Sequence, residues 1–206
     1  MQEFADELLP RKDWSAVREL RKAKRAELLA RRTALSFHDR QRCAESLTAH
    51  LLATLELRPS GVLGIYWPIR GELDLRDYAR RYIETGGTAA LPVVVAKHAP
   101  IEFWQWQPGD SLRRGFWNIP VPAERRVVAP DVLLIPLVGY DAAGYRLGYG
   151  GGYYDRTLAT LTPRPLSIGV GYDESALATI HPQPHDIPMD WLVTERRVLR
   201  IARRAV

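Results

Sequence analysis

"DVLLIPLVGYDAAGYRLGYGGGYYDRTLAT", residues 131–160, changes texture three times. DVLLIPLVG (131–139) is apolar almost throughout, which suits a strand covered on both faces, as in a parallel sheet. RLGYGGGYYDR (146–156) then places four glycines in five positions around one tyrosine. YYDRTLATL reads as a helix. The order strand, glycine loop, helix has a physical use. Glycines let consecutive backbone N–H groups converge on one point and form an anion nest. The helix that follows aims its positive end at the same place. In open α/β sheets, ligands lie at the carboxyl ends of strands. Phosphate binding is therefore expected near Gly148, Gly150, Gly151 and Gly152, with Arg146 as a charged clamp. A strained turn without a ligand is the alternative that pattern alone leaves open. No lysine with Ser or Thr follows the last glycine, so this is not a Walker loop, and no acid at a strand end about 20 residues on makes it a dinucleotide fingerprint. Asp155, just inside the helix, either holds Mg²⁺ against phosphates or only complements the helix dipole.

Outward from this stretch, strands and helices alternate. WSAVRELRKAKRAELLARRT (14–33) looks helical, with Val17, Leu20, Leu28 and Leu29 as its interrupted apolar stripe. Arg18, Lys22 and Arg25 share a face and read as solvated, with a phosphate role expected for at least one of Arg18 and Arg21. Ser36 is a good N-cap for a second helix through about Leu55. VLGIYWPI (62–69) is of strand type, stopped near Pro68. LDLRDYARRYIETGG reads as a helix closed by Gly86 and Gly87. TAALPVVV and IEFWQW are further strands, GDSLRRGFWNIPVPAERR reads as loop, LSIGVGYD is a buried strand and WLVTE a last short one. The sum is an α/β fold: three α/β/α layers around a mostly parallel, mixed central sheet, Rossmann-like.

The totals fit one domain over 206 residues, with residues 1–13 as an extension. Hydrophobic residues make up 46% and charged residues 26%, and no run approaches the roughly 18 apolar residues of a membrane span. The start, MQEFADELLPRKDW, has no apolar signal core, and Cys43 alone cannot form an internal disulfide. A cytoplasmic protein is expected. The net charge of +5 suits a pocket for phosphates and carboxylates as well as a weak attraction to nucleic acid. No G-x-S-x-G elbow marks a triad hydrolase and no RNP-type motif marks an RNA reader.

The long segment 131–159 closely resembles the signature of the 5-formyltetrahydrofolate cyclo-ligase family, the methenyltetrahydrofolate synthetases. LRKAKRAELLARRTALS, GIYWPIRGELDLRDYA, FWNIPVP, IGVGYDE and PHDIPMDWLVTE follow the same family in the same order, so that the likeness spans about residues 18–195. The resemblance implies closure of 5-formyltetrahydrofolate to 5,10-methenyltetrahydrofolate, with ATP consumed in the presence of Mg²⁺ and ADP and phosphate released. Phosphorylation of the formyl oxygen would make it a leaving group, and nitrogen 10 would then attack. It further implies that RLGYGGGYY, from Arg146, Leu147, Gly148 and Tyr149 to Tyr153 and Tyr154, is the ATP loop. Tyr153 and Tyr154 would also border the pterin. Asp155 and Asp190 match metal-binding acids, Glu72 a folate-contacting glutamate, and Trp67 and Trp117 walls of the folate site. Arg21 matches an arginine that reaches ATP phosphate. Many members carry a lysine where Val17 stands, with Arg18 beside it as a stand-in, and some carry a lysine at Gly151. No nucleic-acid or membrane partner is implied, and a monomer is expected. Another α/β enzyme of nucleotide or sugar-phosphate type, and a basic RNA-binding protein, are the competing readings. His185 and Asp186 are expected to serve a turn.

Overall fold

The computed structural model describes residues 13–55 and 60–202, so residues 1–12 of the expected extension lie outside it. Helix α1 (Trp14–Ala34) starts where the Asp13 carboxylate accepts from the amides of Ser15 and Ala16. Helix α2 (Phe37–Thr54) starts as expected at Ser36, whose hydroxyl accepts from the Asp39 amide. Both caps satisfy amides that have no partner within the helix. Strand β1 (Val62–Gly64) is shorter than the apolar run it opens. Helix α3 (Arg76–Glu84) begins later than expected and closes at Gly86, whose φ of +93° only glycine adopts cheaply. β2 (Thr88–Val93) and β3 (Glu102–Trp106) follow.

The stretch read as loop holds more order than its turn residues suggest. β4 (Leu112–Arg114) pairs antiparallel with β5 (Pro120–Pro122) across a 3₁₀ turn at Phe116–Asn118. β6 (Val127–Val128) and β7 (Val132–Pro136) complete the first half. The glycine loop does not leave β7 directly. A hairpin of β8 (Gly139–Asp141) and β9 (Arg146–Leu147) intervenes, and α4 (Tyr153–Thr160) follows the loop. The buried Asp141 sets the hairpin: one oxygen accepts from the amides of Ala143 and Tyr145, the other from Ile180. β10 (Leu166–Val170), β11 (Ala176–Leu177), β12 (Trp191–Val193) and β13 (Val198–Arg200) end the fold.

Eight strands form the central sheet in the order β13-β12-β10-β7-β1-β2-β3-β6. β12, β10, β7, β1 and β2 run parallel, and antiparallel strands finish both edges. Alternate residues face opposite layers. Leu134 and Leu91 join Leu47 and Leu51 of α2 and Tyr78 of α3 in one core. Leu133, Ile135 and Ala90 join Leu158 of α4 in the other. Both faces of β7 are therefore dry, which is why its sequence shows no alternation. Truncating Leu47 or Leu133 to alanine would cost about 2–5 kcal/mol, transfer and cavity together. Helix α1 packs elsewhere. Its Leu28 meets Val138, Leu147 and Ile180, over the small sheet β11-β8-β9. That placement lays α1 along the glycine loop. Among the described residues, no helix is long and apolar enough to cross a membrane.

Candidate functional site

The chain leaves the carboxyl end of β1 and turns sharply at Arg70 (φ +47°) and Gly71 (φ +77°). The turn is closed from both sides: the Glu72 amide donates to the Ile69 carbonyl, and the Ile69 amide donates to Glu72 Oε2, each at 3.0 Å. Tyr172, just past β10, donates to the Gly71 carbonyl at 2.8 Å. These bonds drive the Glu72 side chain inward, where it is 8% exposed.

There it meets residues from two distant segments. The Tyr149 hydroxyl, from the glycine loop, donates to Glu72 Oε1 at 3.0 Å. Arg32 of α1 donates to that same hydroxyl at 2.6 Å, and lies 3.9 Å from Oε1. The rest of the Arg32 guanidinium is spent on the carbonyls of Leu137 and Arg70, at 3.1 and 3.0 Å. Burial pushes the Glu72 pKa up, against the Ile69 amide, Arg32 and Tyr149, which favour its charged form. Burial, and then the Glu72 charge, push up the hydroxyls of Tyr66, Tyr149 and Tyr154. One carboxylate thus faces three tyrosines and one arginine.

The glycine loop connects this chain to a second cluster. Gly150 (φ +94°) and Gly152 (φ +63°) hold conformations that L side chains resist, and Gly152 caps α4 without a side-chain bond. No protein acceptor meets the amides of Gly148, Gly150, Gly151 or Gly152 among the described residues. Arg25 of α1 donates to the Gly148 carbonyl at 2.7 Å, and its guanidinium lies against Gly150. Arg146 is 2.9 Å from Asp155 Oδ1, donates to the Ile187 carbonyl at 3.0 Å, and lies over the Tyr154 ring. Asp155 Oδ1 also accepts from the Ile187 amide, and Oδ2 meets no protein donor among the described residues. Arg156 donates to the Gly151 carbonyl and lies 4.9 Å over the Tyr153 ring, while its buried Nε lacks a partner. Trp117, held at φ +52° and 64% exposed, meets the Tyr153 ring edge-on at 5.4 Å.

The structure thus brings together Glu72, Arg146, Tyr149, Tyr153, Tyr154, Asp155, Trp117 and the glycines. Leu147 is 1% exposed and anchors the loop from the core. Other expected residues sit apart. Arg18 is exposed on the outer side of α1. Arg21 is turned to the carbonyls of Ile180 and His181 and to Asp186, which also accepts from the Gln183 amide and so holds the expected turn. Trp67 packs on Trp106 and under Arg76, on the α2–α3 side of the sheet. Asp190 lies beside Ser167, at the amino ends of β10 and β12. There Asp190 Oδ2 accepts from both the amide and the hydroxyl of Ser167, at the opposite edge of the sheet from the glycine loop. Arg25, Arg32 and Arg156 were not singled out for the site by sequence. Spacing holds a signal for two of them, since Arg21, Arg25, Leu28 and Arg32 fall on one helical stripe. No group of three or more His, Cys, Asp or Glu is placed to hold a metal among the described residues. A cation here would need oxygen ligands from an anion as well as from Asp155 Oδ2.

A family model described as the 5-formyltetrahydrofolate cyclo-ligase family matches residues 16–195. The 5-formyltetrahydrofolate cyclo-ligase of Haemophilus influenzae is 30% identical over 141 residues, covering 64% of this chain and 72% of that one. The NMR structure of Aquifex aeolicus 5,10-methenyltetrahydrofolate synthetase superposes with a TM-score of 0.77 at 32% identity, over 91% of this chain and 96% of that one. A 5,10-methenyltetrahydrofolate synthetase from Mycoplasma pneumoniae gives 0.71 at 27% identity, over 85% and 98%. With its α/β/α layers, its glycine loop and a match across most of its length, the chain belongs to the 5-formyltetrahydrofolate cyclo-ligase family.

Proposed function

We propose that this chain is an ATP- and Mg²⁺-dependent ligase that closes 5-formyltetrahydrofolate to 5,10-methenyltetrahydrofolate and releases ADP and phosphate. It works as one domain, as a monomer in the cytoplasm, without nucleic acid or membrane. The observation that carries this reading is Tyr149. Its backbone belongs to a loop of unspent glycine amides, and its hydroxyl holds the buried Glu72 carboxylate. Phosphate recognition and folate recognition thereby share one residue.

When bound, ATP supplies the phosphoryl group that turns the formyl oxygen into a leaving group. The chain supplies position and charge. The amides of Gly148 to Gly152 face the phosphates, as the positive end of α4 does. Arg146 holds Asp155 Oδ1, which leaves Oδ2 for a cation carried in by phosphate oxygens. Asp190 is left out of this metal site, because Ser167 occupies it at the far edge of the sheet. Glu72 accepts from the N–H edge of the pterin, and Trp117 with Tyr153 supplies an aromatic wall. Arg25 and Arg156, the latter with an unmet buried N–H, add positive charge beside the loop.

The test mixes the folded protein with 5-formyltetrahydrofolate, ATP and Mg²⁺ and follows methenyl absorbance. Turnover that stops when ATP is omitted, or when the cation is chelated, is the expected result. A folded, monodisperse protein that gives no signal at high enzyme concentration rejects the proposal.

A further inference from the structure

Arginines crowd the glycine loop and its Glu72 partner, and most are tied down. Arg25, Arg32, Arg146 and Arg156 each donate to a backbone carbonyl. Arg70 differs. Its guanidinium lies 5.8 Å from the centre of the Tyr149 ring and, among the described residues, donates to no acceptor and meets no carboxylate. The residue is exposed, and only its carbonyl is engaged, by Arg32.

Its backbone is unusual as well. Arg70 holds φ +47° directly before Gly71 at +77°. A second glycine would take that conformation more cheaply. Strain of this kind is tolerated where the side chain it presents has a task. The place suggests the task. Tyr149 joins the loop's unspent amides to the Glu72 carboxylate. Arg70 stands over the ring between the two, so its free charge lies where a phosphate held by the loop and a heterocycle held by Glu72 would meet.

We propose that Arg70 is a catalytic contact, the forked cation that neutralises the phosphoryl group as it crosses from ATP to the formyl oxygen. This rests on the cyclo-ligase reading given above. In that step the bond from the γ-phosphorus to the ADP oxygen breaks, and its electron pair leaves with ADP. A bond from phosphorus to the formyl oxygen forms, as the lone pair of nitrogen 5 shifts towards the formyl carbon. The charge in transit sits on the equatorial oxygens, which a guanidinium can meet two at a time. Tyr149 steadies the guanidinium through its ring and consumes none of its N–H groups.

The test compares Arg70→Gly and Arg70→Lys with wild type, with KM taken separately for 5-formyltetrahydrofolate and ATP and with calorimetric binding of ADP. Glycine suits the left-handed turn, so Arg70→Gly should melt near the wild-type temperature. Its kcat should fall about a hundredfold, with both KM values and the ADP affinity within about threefold of wild type, because only the group in flight loses a partner. Arg70→Lys should recover part of the loss, since it restores the charge without the fork. A kcat within about twofold of wild type in Arg70→Gly, or a KM that rises while kcat holds, overturns the assignment and leaves the cyclo-ligase reading standing. A folded wild-type protein that turns over no 5-formyltetrahydrofolate overturns both.

Discussion

Helix α3 and the Arg32–Tyr149–Glu72 chain are both arrays of arginine and carboxylate. On α3, Arg80 and Arg81 reach Asp77 and Glu84 at 2.6 to 3.0 Å, with every side chain about half exposed. Arg32 comes no nearer to Glu72 than 3.9 Å, yet both side chains are about 5% exposed. Distance alone would rank α3 as the stronger. Burial reverses the order. In water the α3 pairs exchange one hydrated contact for another, and salt screens them. Inside, the Arg32 and Glu72 charges have no water to return to, so each depends on the hydroxyl between them. Short bonds on a surface are a weak guide to what the fold needs, and a longer contact in a dry site is a strong one.

The largest break in that contrast is Arg32→Met. It strands the Glu72 carboxylate and two carbonyls, and should cost about 3–5 kcal/mol in urea unfolding. Adding Glu72→Gln to it should recover a measurable part, whereas two independent effects would simply add. Next comes Asp155→Asn, which should raise KM for Mg-ATP at least about tenfold, some 1.4 kcal/mol, while thermal melting moves little. A large melting shift with normal ATP use would make Asp155 a structural partner of Arg146 alone.

Tyr149→Phe sharpens the comparison at one atom. It removes a hydrogen bond that favours ionised Glu72, so the acid limb of kcat/KM for the folate should move to higher pH. An unmoved limb would separate Glu72 from the titration. The sign for stability follows from the same shift. Burial raises the folded pKa of Glu72, so its contribution is fullest at low pH and is lost as pH rises through the folded value. Glu72→Gln should accordingly gain on wild type in unfolding experiments as the solution is made more alkaline. The smallest effect belongs to α3: Arg80→Gln with Arg81→Gln should shift Tm by less than about 2 °C. A drop comparable to that of Arg32→Met would erase the distinction between the two arrays.

Much of this is legible in the sequence. The dry strand β7, the cap at Ser36 and the glycine stop of α3 each leave a local chemical mark, and each element sits where that mark says. The β4–β5 hairpin left none. Its strands are three residues long, and prolines at 120 and 122 make it look like pure turn. The β8–β9 hairpin hid behind the glycines it delivers. Glu72 and Tyr149 were visible as residues, but the bond between them spans 77 positions, and no local pattern encodes it. Arg32 was harder still. Among the many cations of α1 it reads as solvated, and only the approach of the Leu137 and Arg70 carbonyls makes a buried guanidinium tolerable there.

Gly151 shows how a missing side chain can define a ligand wall. A β-carbon there would lie 2.7 Å from the Tyr153 ring, so the ring occupies the very room that a residue at 151 would need. The corner can hold a flat hydrocarbon face or a longer side chain, and not both. Gly151→Lys would unseat the ring from both Trp117 and Arg156, and would trade an aromatic face for a mobile cation.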